Sequence, residues 1–283
     1  MAEPTFSIIT TCKGRLEFLK RTLPNLVAQV EAEIVVVDYD CPDGTKDWVA
    51  SRFPDVRVAV VTDMPLFNLS DARNIGAKLA RAPWLVFCDA DDLLIPSFTT
   101  EVLRRVAPGT YLRTMRDTPE GGRKASVPLV CEATTYREIG GYDDALRGWG
   151  AEDWEIVNRL EHRGVREVLG PATLVEKLPH ANEIRSRFYA HSIDISMVIN
   201  HHYAMIKERH FETRGRWFTA AQRHSTYHQV EQAVLASLDD ARGSAVFDID
   251  VEGEVPPWTA QLTATGIRKY HQIGVSRLGQ VTL

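Results

Sequence analysis

Cysteines, long apolar runs and an excess of basic residues are all scarce or missing in this sequence. Its four cysteines lie far apart with no Cys-x-x-Cys spacing, which predicts reduced thiols rather than a disulfide framework or a zinc site. No apolar run reaches the roughly 18 residues that a membrane-spanning helix needs. The chain carries 33 basic against 38 acidic residues, a net charge of −5, and this acidic surplus argues against sequence-independent binding of nucleic acid.

The first residues also lack the features of a secretory signal. An acidic side chain, Glu3, comes early and no small-residue cleavage site follows it, so we expect a cytoplasmic protein. Internal repeats and low-complexity stretches are absent as well. A chain of 283 residues is long enough for one large domain with a smaller appendage.

Charge and histidine content divide the chain near residues 180–185. Residues 1–180 hold 22 basic and 27 acidic side chains, whereas residues 181–283 hold 11 of each. Seven of the nine histidines also fall in this second part, where apolar residues recur at helical spacing. We therefore predict a first domain over residues 1–182 and a mainly helical extension over residues 183–283, with short strands or loops near the end of the chain.

The first domain alternates apolar, β-branched runs with helical patterns. The runs that predict strands cover residues 6–11, 34–37, 56–61 and 84–88. Continuous apolar strands separated by helices are typical of an α/β fold whose mostly parallel sheet is covered on both faces. Ser70 is the predicted N-cap of a helix over residues 72–80. Ligands of such sheets bind beyond the carboxyl ends of the strands, so we expect Lys13, Asp38 and Asp89, which each follow a strand, to converge there.

The run of acids after the last of these strands is the strongest chemical signal. Asp89, Asp91 and Asp92 place three carboxylates within four residues, and their mutual repulsion makes the loop costly without a cation. A hard divalent ion such as Mg²⁺ or Mn²⁺ would neutralise them and recruit phosphate oxygens as further ligands. The alternative is a solvated acidic turn that caps the helix after Pro96.

Asp38 also stands at the end of a predicted strand. A carboxylate in this position can accept hydrogen bonds from a base or a ribose, as in dinucleotide-binding folds. The alternative is an Asx turn in a loop that Asp43 and Gly44 complete. His180 follows an apolar stretch, and a single histidine of this kind is more often structural than a metal ligand.

A glycine-flanked tryptophan leads into the next predicted helix, at Trp149-Gly150-Ala151-Glu152-Asp153. Acidic residues are common in the first turn of a helix because they complement its dipole. The two glycines beside Trp149, however, would let the backbone approach a ligand while the ring stacks on a sugar face. The helix N-terminus favours a charged carboxylate at Asp153, which could then accept a proton from an attacking hydroxyl.

Four segments follow, in order, the pattern of family 2-like glycosyltransferases with the GT-A fold. These segments are SIITTCKGR, IVVVDYDCPDGT, LSDARNIGAKLARAPWLVFCDADD and EIGGYDDALRGWGAEDWEIVNRL. The GWGAED segment (residues 148–153) further resembles the GWGxED element of β-1,4-galactosyltransferases and polypeptide N-acetylgalactosaminyltransferases. The resemblance covers residues 4–182 and implies a GT-A catalytic domain that binds a nucleotide sugar and an acceptor. It implies metal-dependent, inverting transfer from a nucleotide-diphosphate sugar, with a UDP-sugar favoured, to a hydroxyl of a saccharide or glycoconjugate.

The resemblance also implies a role for individual residues. Asp153 matches the catalytic base, and Trp149 and Glu152 match residues on the acceptor sugar. Asp91 and His180 match the ligands of the metal, Mn²⁺ or Mg²⁺. The residues that would hold the donor are Thr11, Arg15, Asp38, Arg73, Asn74 and Asp89.

Other classes explain less of the sequence. DADD resembles the Asp-x-Asp of haloacid-dehalogenase-like phosphatases, but these place the motif on an early strand and have Thr or Val where Leu93 stands. A dinucleotide oxidoreductase would have GxGxxG after the first strand. A sugar nucleotidyltransferase would have a Gly-rich, Arg-containing start. This sequence has neither feature. A phosphatase and a non-catalytic nucleotide- or carbohydrate-binding module are kept as alternatives.

Residues 185–224 combine basic and aromatic side chains. Seven Lys or Arg stand against three acids, with six aromatic residues among them. The simplest interpretation is a helical appendage packed on the catalytic domain. The alternatives are a surface for an anionic acceptor, for a lipid-linked acceptor at the inner membrane face, or for a second subunit.

Overall fold

The computed structural model describes residues 3–117, 123–180, 182–238, 244–249, 251, 258–263, 274–275 and 280–282. The chain divides into two compact units. The first unit consists of Met1–Asp144 and Asp153–Phe188, and the second of Ala145–Glu152 and Tyr189–Leu283.

The first unit is built on a seven-stranded sheet in the order β3-β2-β1-β4-β7-β6-β8. Its strands are β1 (Phe6–Cys12), β2 (Ala32–Tyr39), β3 (Arg57–Val61), β4 (Trp84–Cys88), β6 (Thr110–Asp117), β7 (Arg123–Glu132) and β8 (Arg166–Gly170), and a separate pair joins β5 (Asp92–Leu94) to β9 (Val175–Lys177). β1 pairs in parallel with β2 and β4, β2 with β3, and β6 with β8, whereas β7 runs antiparallel to β4 and β6. The predicted mostly parallel α/β sheet is confirmed.

Helices cover both faces of this sheet. They are α1 (Leu16–Val27), α2 (Thr45–Arg52), α3 (Leu69–Leu79), α4 (Phe98–Leu103), α5 (Ala133–Glu138) and α6 (Glu152–His162). The short helix α7 (Asn182–Ser186) and a 3₁₀ turn at Ala172–Leu174 also belong to the first unit. Alternate strand residues serve the two faces, because successive side chains of a strand point in opposite directions. Ile8 joins a buried cluster that includes residues of α1 and α4, while its neighbour Ile9 joins one that includes residues of α3 and α6.

The order of the strands reverses at β1, which lies between β2 and β4. The crevice beyond the carboxyl ends of the strands at such a point is the usual ligand site of open α/β sheets. The helix α3 packs against β1 and β2. Its N-cap is Asn68, whose side chain accepts a 3.0 Å hydrogen bond from the Asp71 N–H. The prediction of Ser70 as the N-cap is therefore wrong by two residues.

The second unit contains two long helices, α8 (Ile193–Arg214) and α9 (Ala220–Leu238). A small sheet in the order β10-β11-β13-β12 follows, from β10 (Ser244–Ile249), β11 (Trp258–Thr263), β12 (Gly274–Val275) and β13 (Gln280–Thr282). The predicted mainly helical extension is confirmed, and the predicted short strands are present among the described residues near the chain end.

Several aromatic and basic residues of the segment 185–224 lie inside this unit. Tyr203 and Phe218 are buried in its apolar cluster, and the buried Lys207 places its ammonium 5.8 Å from the centre of the Trp217 ring. In the described part of the chain, no helix has the length and apolar character needed to cross a bilayer. A membrane surface or a second subunit as the partner of this segment stays a prediction.

Candidate functional site

The acidic turn (residues 89–92) follows β4 directly and is held by its own side chains. The Asp89 N–H donates a 2.8 Å hydrogen bond to Asp92 Oδ2, and the Asp92 N–H donates to the Asp89 carbonyl at 3.1 Å. Asp92 then begins β5, whose antiparallel pairing with β9 sets it opposite Lys177. The turn therefore meets a lysine that is 85 residues away in the sequence.

Lys177 provides a fixed positive charge for the acidic turn. Its ammonium nitrogen lies 2.8 Å from Asp89 Oδ2, 2.9 Å from Asp92 Oδ1 and 3.7 Å from Asp91 Oδ2. The side chain is only 19% exposed. The sequence argument that this turn needs a cation is thus satisfied in part by the chain itself.

Electrostatics in the turn follow from this arrangement. Burial alone would raise the pKa of Asp89, but Lys177 and Arg73 outweigh it and hold that pKa well below its usual range. Burial raises the pKa of Asp92 to about 7, and Asp89 and Asp91 add to the rise while Lys177 opposes it. Burial would lower the pKa of Lys177, but the surrounding carboxylates raise it above its ordinary value. Lys177 therefore stays an ammonium.

Arg73 connects the acidic turn to the start of α6. One guanidinium nitrogen, Nη2, lies 3.1 Å from Asp89 Oδ1, and the other, Nη1, lies 2.8 Å from Asp153 Oδ1. The guanidinium also lies over the Tyr142 ring, 4.8 Å from its centre, and the side chain is 3% exposed. Asp153 itself is 41% exposed. Its carboxylate is thus oriented by a buried partner and still open to solvent.

Asp91 and His180 form a second close pair. His180 Nε2 lies 3.3 Å from Asp91 Oδ2, and both side chains are buried. Arg15, which directly precedes α1, approaches the other oxygen of Asp91 with its Nη1 at 3.4 Å. The His180 ring packs edge-on against Phe18, with 5.5 Å between the ring centres.

A carboxylate oxygen and an imidazole nitrogen this close together fit a divalent ion such as Mn²⁺. Mg²⁺ and Mn²⁺ are commonly held by one or two protein ligands, with substrate phosphates and water completing the shell. No cluster of three or more His, Cys, Asp or Glu side chains that could hold a metal occurs among the described residues. Asp91 and His180 thus fit an open site that would need further ligands from outside the chain. Lys177 lies near the same Asp91 oxygen, at 3.7 Å.

Lys13 and Asp38 both make their hydrogen bonds to the backbone of neighbouring loops. The buried Lys13 ammonium donates to the carbonyls of Tyr39, Asp40 and Met64 at 3.2, 2.8 and 2.7 Å. A buried ammonium must use its three donors in this way because an unpaired charge is costly. The contacts of Lys13 therefore differ from the expected convergence with Asp89.

Asp38 makes an Asx-type turn. Its Oδ1 accepts the Cys41 N–H at 2.9 Å and its Oδ2 accepts the Lys46 N–H at 2.8 Å. Both carboxylate oxygens thus brace the loop that connects β2 to α2, which is the structural alternative raised by the sequence. A contact of Asp38 with a base or ribose stays a prediction.

Asn74 and Thr11 both contribute to the fold of the first unit, Asn74 through hydrogen bonds and Thr11 as a buried strand residue. Asn74 donates to the Tyr142 carbonyl at 2.9 Å, and its Oδ1 accepts from the Tyr136 hydroxyl at 2.6 Å and the Tyr142 N–H at 2.9 Å. Asn74 therefore fixes the segment that carries the ring beneath Arg73. Thr11 is buried in β1 opposite Val37 of β2. Direct donor contacts of Asn74 and Thr11 stay predictions.

The loop before α6, which contains Trp149, is fastened within the second unit. The Asn200 side-chain nitrogen donates to the carbonyls of Arg147, Trp149 and Gly150 at 2.9, 3.3 and 2.9 Å. Asn200 is in turn held by the Tyr227 hydroxyl, which donates to its Oδ1 at 3.0 Å. These hydrogen bonds fix the backbone conformation around Trp149.

Packing explains one of the glycines beside Trp149. Gly148 has a φ of +73°, and a Cβ on it would overlap the side chain of Ser196 in α8. The close approach seen in the second unit is thus to a helix, which differs from the expected approach to a ligand. Trp149 is partly buried, and Glu152, also partly buried, is the first residue of α6. Their acceptor contacts stay predictions.

Lys177, Asn200 and Tyr142 are the residues that the sequence analysis missed. Each acts through a partner far away in the chain, since β9 pairs with β5 and α8 binds the loop before α6. Lys177 lies three residues before His180, and this spacing is only a weak signal of a shared site. His180 lies beyond the end of β9, so the period of the strand does not fix the two side chains relative to each other.

Two family models match successive parts of the chain. Residues 7–117 match Glycosyl transferase family 2, and residues 128–192 match a model described as the N-terminal domain of galactosyltransferase. These matches confirm the resemblance to family 2-like glycosyltransferases that the sequence motifs indicate, including its galactosyltransferase-like second half.

Curated relatives are more distant. A validoxylamine A glucosyltransferase of Streptomyces hygroscopicus subsp. jinggangensis (strain 5008) is 23% identical over 273 residues, covering 75% of this chain and 64% of the relative. A second protein with this name, from subsp. limoneus, is also 23% identical and is covered to 60%. The chain thus spans somewhat less than two thirds of the length of these relatives.

Solved structures show the same fold. The mannosyltransferase PcManGT from Pyrobaculum calidifontis, in complex with GDP-Man and Mn²⁺, has a TM-score of 0.55 at 18% identity, covering 85% of this chain and 76% of its own. The structure of GalNAc-T7 with UDP, GalNAc and Mn²⁺ has a TM-score of 0.55 at 13% identity, covering 82% of this chain and 51% of its own. The predicted GT-A fold is confirmed.

Proposed function

We propose that this chain is an inverting glycosyltransferase that uses a nucleotide-diphosphate sugar, in first place a UDP-sugar, and a hydroxyl of a saccharide or glycoconjugate. The observation that carries the proposal is the guanidinium of Arg73, which binds Asp89 of the acidic turn and Asp153 of α6 at once. Arg73 thus joins the acidic turn, which the resemblance assigns to the donor, to Asp153, which it assigns as the base. We assign this activity to residues 1–182.

Asp153 is the proposed general base. Arg73 holds its Oδ1 at 2.8 Å, and the group is 41% exposed, so an acceptor hydroxyl can approach it from solvent. As the hydroxyl oxygen attacks the anomeric carbon on the face opposite the diphosphate, its proton passes to Asp153 and the bond to the diphosphate breaks. General-base help of this kind contributes roughly 10²–10⁴ in rate.

Asp91 and His180 are the proposed ligands of Mn²⁺ or Mg²⁺. The ion, when bound, would supply positive charge for the leaving diphosphate. Arg15 and Lys177 already place cationic groups within 3.4 and 3.7 Å of Asp91. The anionic donor would therefore enter a site whose carboxylates are largely neutralised.

The remaining assignments are proposals of the same kind. Trp149 and Glu152 would contact the acceptor sugar. The donor would be held by residues from the strand ends, the start of α1 and the helix α3, namely Thr11, Arg15, Asp38, Arg73, Asn74 and Asp89. We propose a cytoplasmic enzyme, with residues 185–224 as the surface through which it could meet a membrane or a second copy.

Donor binding tests the proposal directly. A panel of nucleotide-diphosphate sugars is screened with Mn²⁺ for thermal stabilisation, since a ligand of the folded state raises its apparent stability by mass action. We expect at least one donor to stabilise the chain. Its affinity, measured by calorimetry with and without Mn²⁺, should fall in Asp91→Ala and stay unchanged in the control Asp55→Ala, an exposed acid outside the site.

Two results would contradict the proposal. If no nucleotide-diphosphate sugar stabilises the chain, the donor class is wrong. If Asp91→Ala binds the donor as tightly as the wild type with Mn²⁺ present, the assignment of the metal ligands is wrong.

A further inference from the structure

Two cysteines with no part in the proposed transfer reaction lie side by side at the carboxyl end of the central sheet. Cys12 is the last residue of β1, and Cys41 lies in the loop that follows β2. Their sulfur atoms are 3.9 Å apart and both thiols are free. Cys12 is buried, whereas Cys41 is partly exposed. An inner and an outer thiol are thus in contact.

Hydrogen-bond donors surround the sulfur of Cys41. The Gly14 N–H donates to it at 3.1 Å, and the Thr45 hydroxyl lies 3.1 Å from it and 3.2 Å from the sulfur of Cys12. Thr45 is also the first residue of α2, so the sulfur stands near the N-terminus of a helix. Such donors stabilise a thiolate and activate it as a nucleophile.

The charge distribution over the two sulfurs is unequal. The hydrogen bond from the Cys12 thiol is the main cause that lowers the pKa of Cys41 to about 6, with Thr45 and backbone N–H groups acting the same way against burial. The same bond, together with burial, raises the pKa of Cys12. These shifts favour the thiolate at Cys41 and the protonated thiol at Cys12.

The other two cysteines differ from Cys41 in exposure and in the direction of the pKa shift. Cys88 and Cys131 are buried, and burial raises the pKa of each thiol well above its usual value. Buried thiols of this kind are inert. The chain therefore carries its own internal controls for the reactivity of Cys41.

We propose that Cys41 is a site of oxidation by hydroperoxides and that Cys12 is its resolving partner, the two forming an intramolecular disulfide. This inference does not depend on the proposed transferase activity. A reactive, accessible thiolate next to a second cysteine is the arrangement found in redox-sensitive sites.

The reaction balances in two steps. The Cys41 thiolate attacks one oxygen of hydrogen peroxide, an S–O bond forms, the O–O bond breaks and hydroxide leaves; the sulfur is oxidised to a sulfenic acid and the peroxide is reduced. Cys12 then gives up its proton and its sulfur attacks Cys41, the S–O bond breaks and water is released. The disulfide needs its sulfurs about 2 Å apart, so they must approach from 3.9 Å.

The test uses the full reduced chain. It is treated with hydrogen peroxide, its remaining thiols are blocked with N-ethylmaleimide, and the unreduced digest is analysed by mass spectrometry. We expect a peptide pair linked through Cys12 and Cys41, reversible by dithiothreitol, at least about tenfold more abundant than any link to Cys88 or Cys131. Absence of this link in the oxidised wild type, or earlier oxidation of Cys88 or Cys131, would overturn the proposal.

Variants separate the two roles. Cys12→Ser keeps a hydroxyl donor beside Cys41 but removes the resolving thiol. The Cys41 sulfenic acid of this variant should therefore persist and be trapped by dimedone. Cys41→Ser should lose the link, while Cys131→Ser should keep it. If peroxide still oxidises Cys12 of Cys41→Ser as fast as in the wild type, or Cys12→Ser gives no dimedone adduct at Cys41, the assigned roles are wrong.

Discussion

Lys177→Met removes the positive charge from the centre of the acidic turn. Lys177 contacts Asp89 at 2.8 Å and Asp92 at 2.9 Å, and the side chain is 19% exposed. Methionine has a similar length and no charge, so the variant leaves the carboxylates without their shared partner. We expect a clear loss of stability in the first unit.

The size of the expected loss depends on the burial of Lys177 and on the contacts that its carboxylate partners keep in the variant. Removing one partner of a buried ion pair typically costs roughly 3–5 kcal/mol. Arg73 still contacts Asp89, and Asp92, whose pKa burial already raises to about 7, can take up a proton. We therefore expect about 3 kcal/mol, the lower end of that range, which lowers Tm by roughly 6–12 °C in a domain of about 150–250 residues.

Mn²⁺ separates this explanation from a general loss of packing. With the ammonium gone, a divalent ion can use the freed carboxylates, and binding at about 100 times its Kd restores about 2.7 kcal/mol. The wild type should gain less, because Lys177 already occupies the turn. Unfolding is followed by circular dichroism with and without Mn²⁺, and Lys46→Met, at an exposed lysine, serves as the control.

The reasoning would be refuted if Lys177→Met is as stable as Lys46→Met. A loss of stability that Mn²⁺ does not reverse any better than in the wild type would instead show that packing, and not charge, is what Lys177 contributes.

The second unit offers two further predictions. Asn200→Ala removes the amide that donates to three carbonyls, and we expect a loss of about 1–3 kcal/mol in denaturant unfolding. Gln229→Ala, whose side chain bonds Ser225 within α9, should change the stability little. Gly148→Ala and Gly215→Ala both place a Cβ at a positive φ, +73° and +71°, but only at Gly148 does it meet another side chain. Gly148→Ala should therefore lose more stability than Gly215→Ala, and equal losses would mean that Ser196 simply moves aside.

The central sheet could be predicted because its signal is local. The apolar runs of β1, β2 and β4 lie within short stretches of sequence, and each run is closed in the sequence by a charged residue, namely Lys13, Asp38 or Asp89. The helix α3 shows where local signals end. Asn68 and Ser70 are comparable as caps, and Asn68 also donates to the Asp144 carbonyl at 2.8 Å, a contact 76 residues away.

The candidate site depends on more distant pairings. Three carboxylates within four residues predict a nearby cation. Their sequence is the same whether that cation is a metal or Lys177, which the pairing of β5 with β9 places there. Gly148 carries the same ambiguity, since a glycine for a ligand and a glycine for the packing of Ser196 look alike. Such alternatives are distinguished only by contacts with residues that are distant in the sequence.

Asp153→Asn is the variant that tests the central claim most directly. Asparagine retains an oxygen for Arg73, so the 2.8 Å contact and the local fold should persist while the proton acceptor is lost. The measurement is release of nucleoside diphosphate from the best-binding donor, with simple saccharides or water as acceptor, alongside calorimetric donor affinity. We predict unchanged affinity and a rate reduced by roughly 10²–10⁴. Release at the wild-type rate would contradict the account.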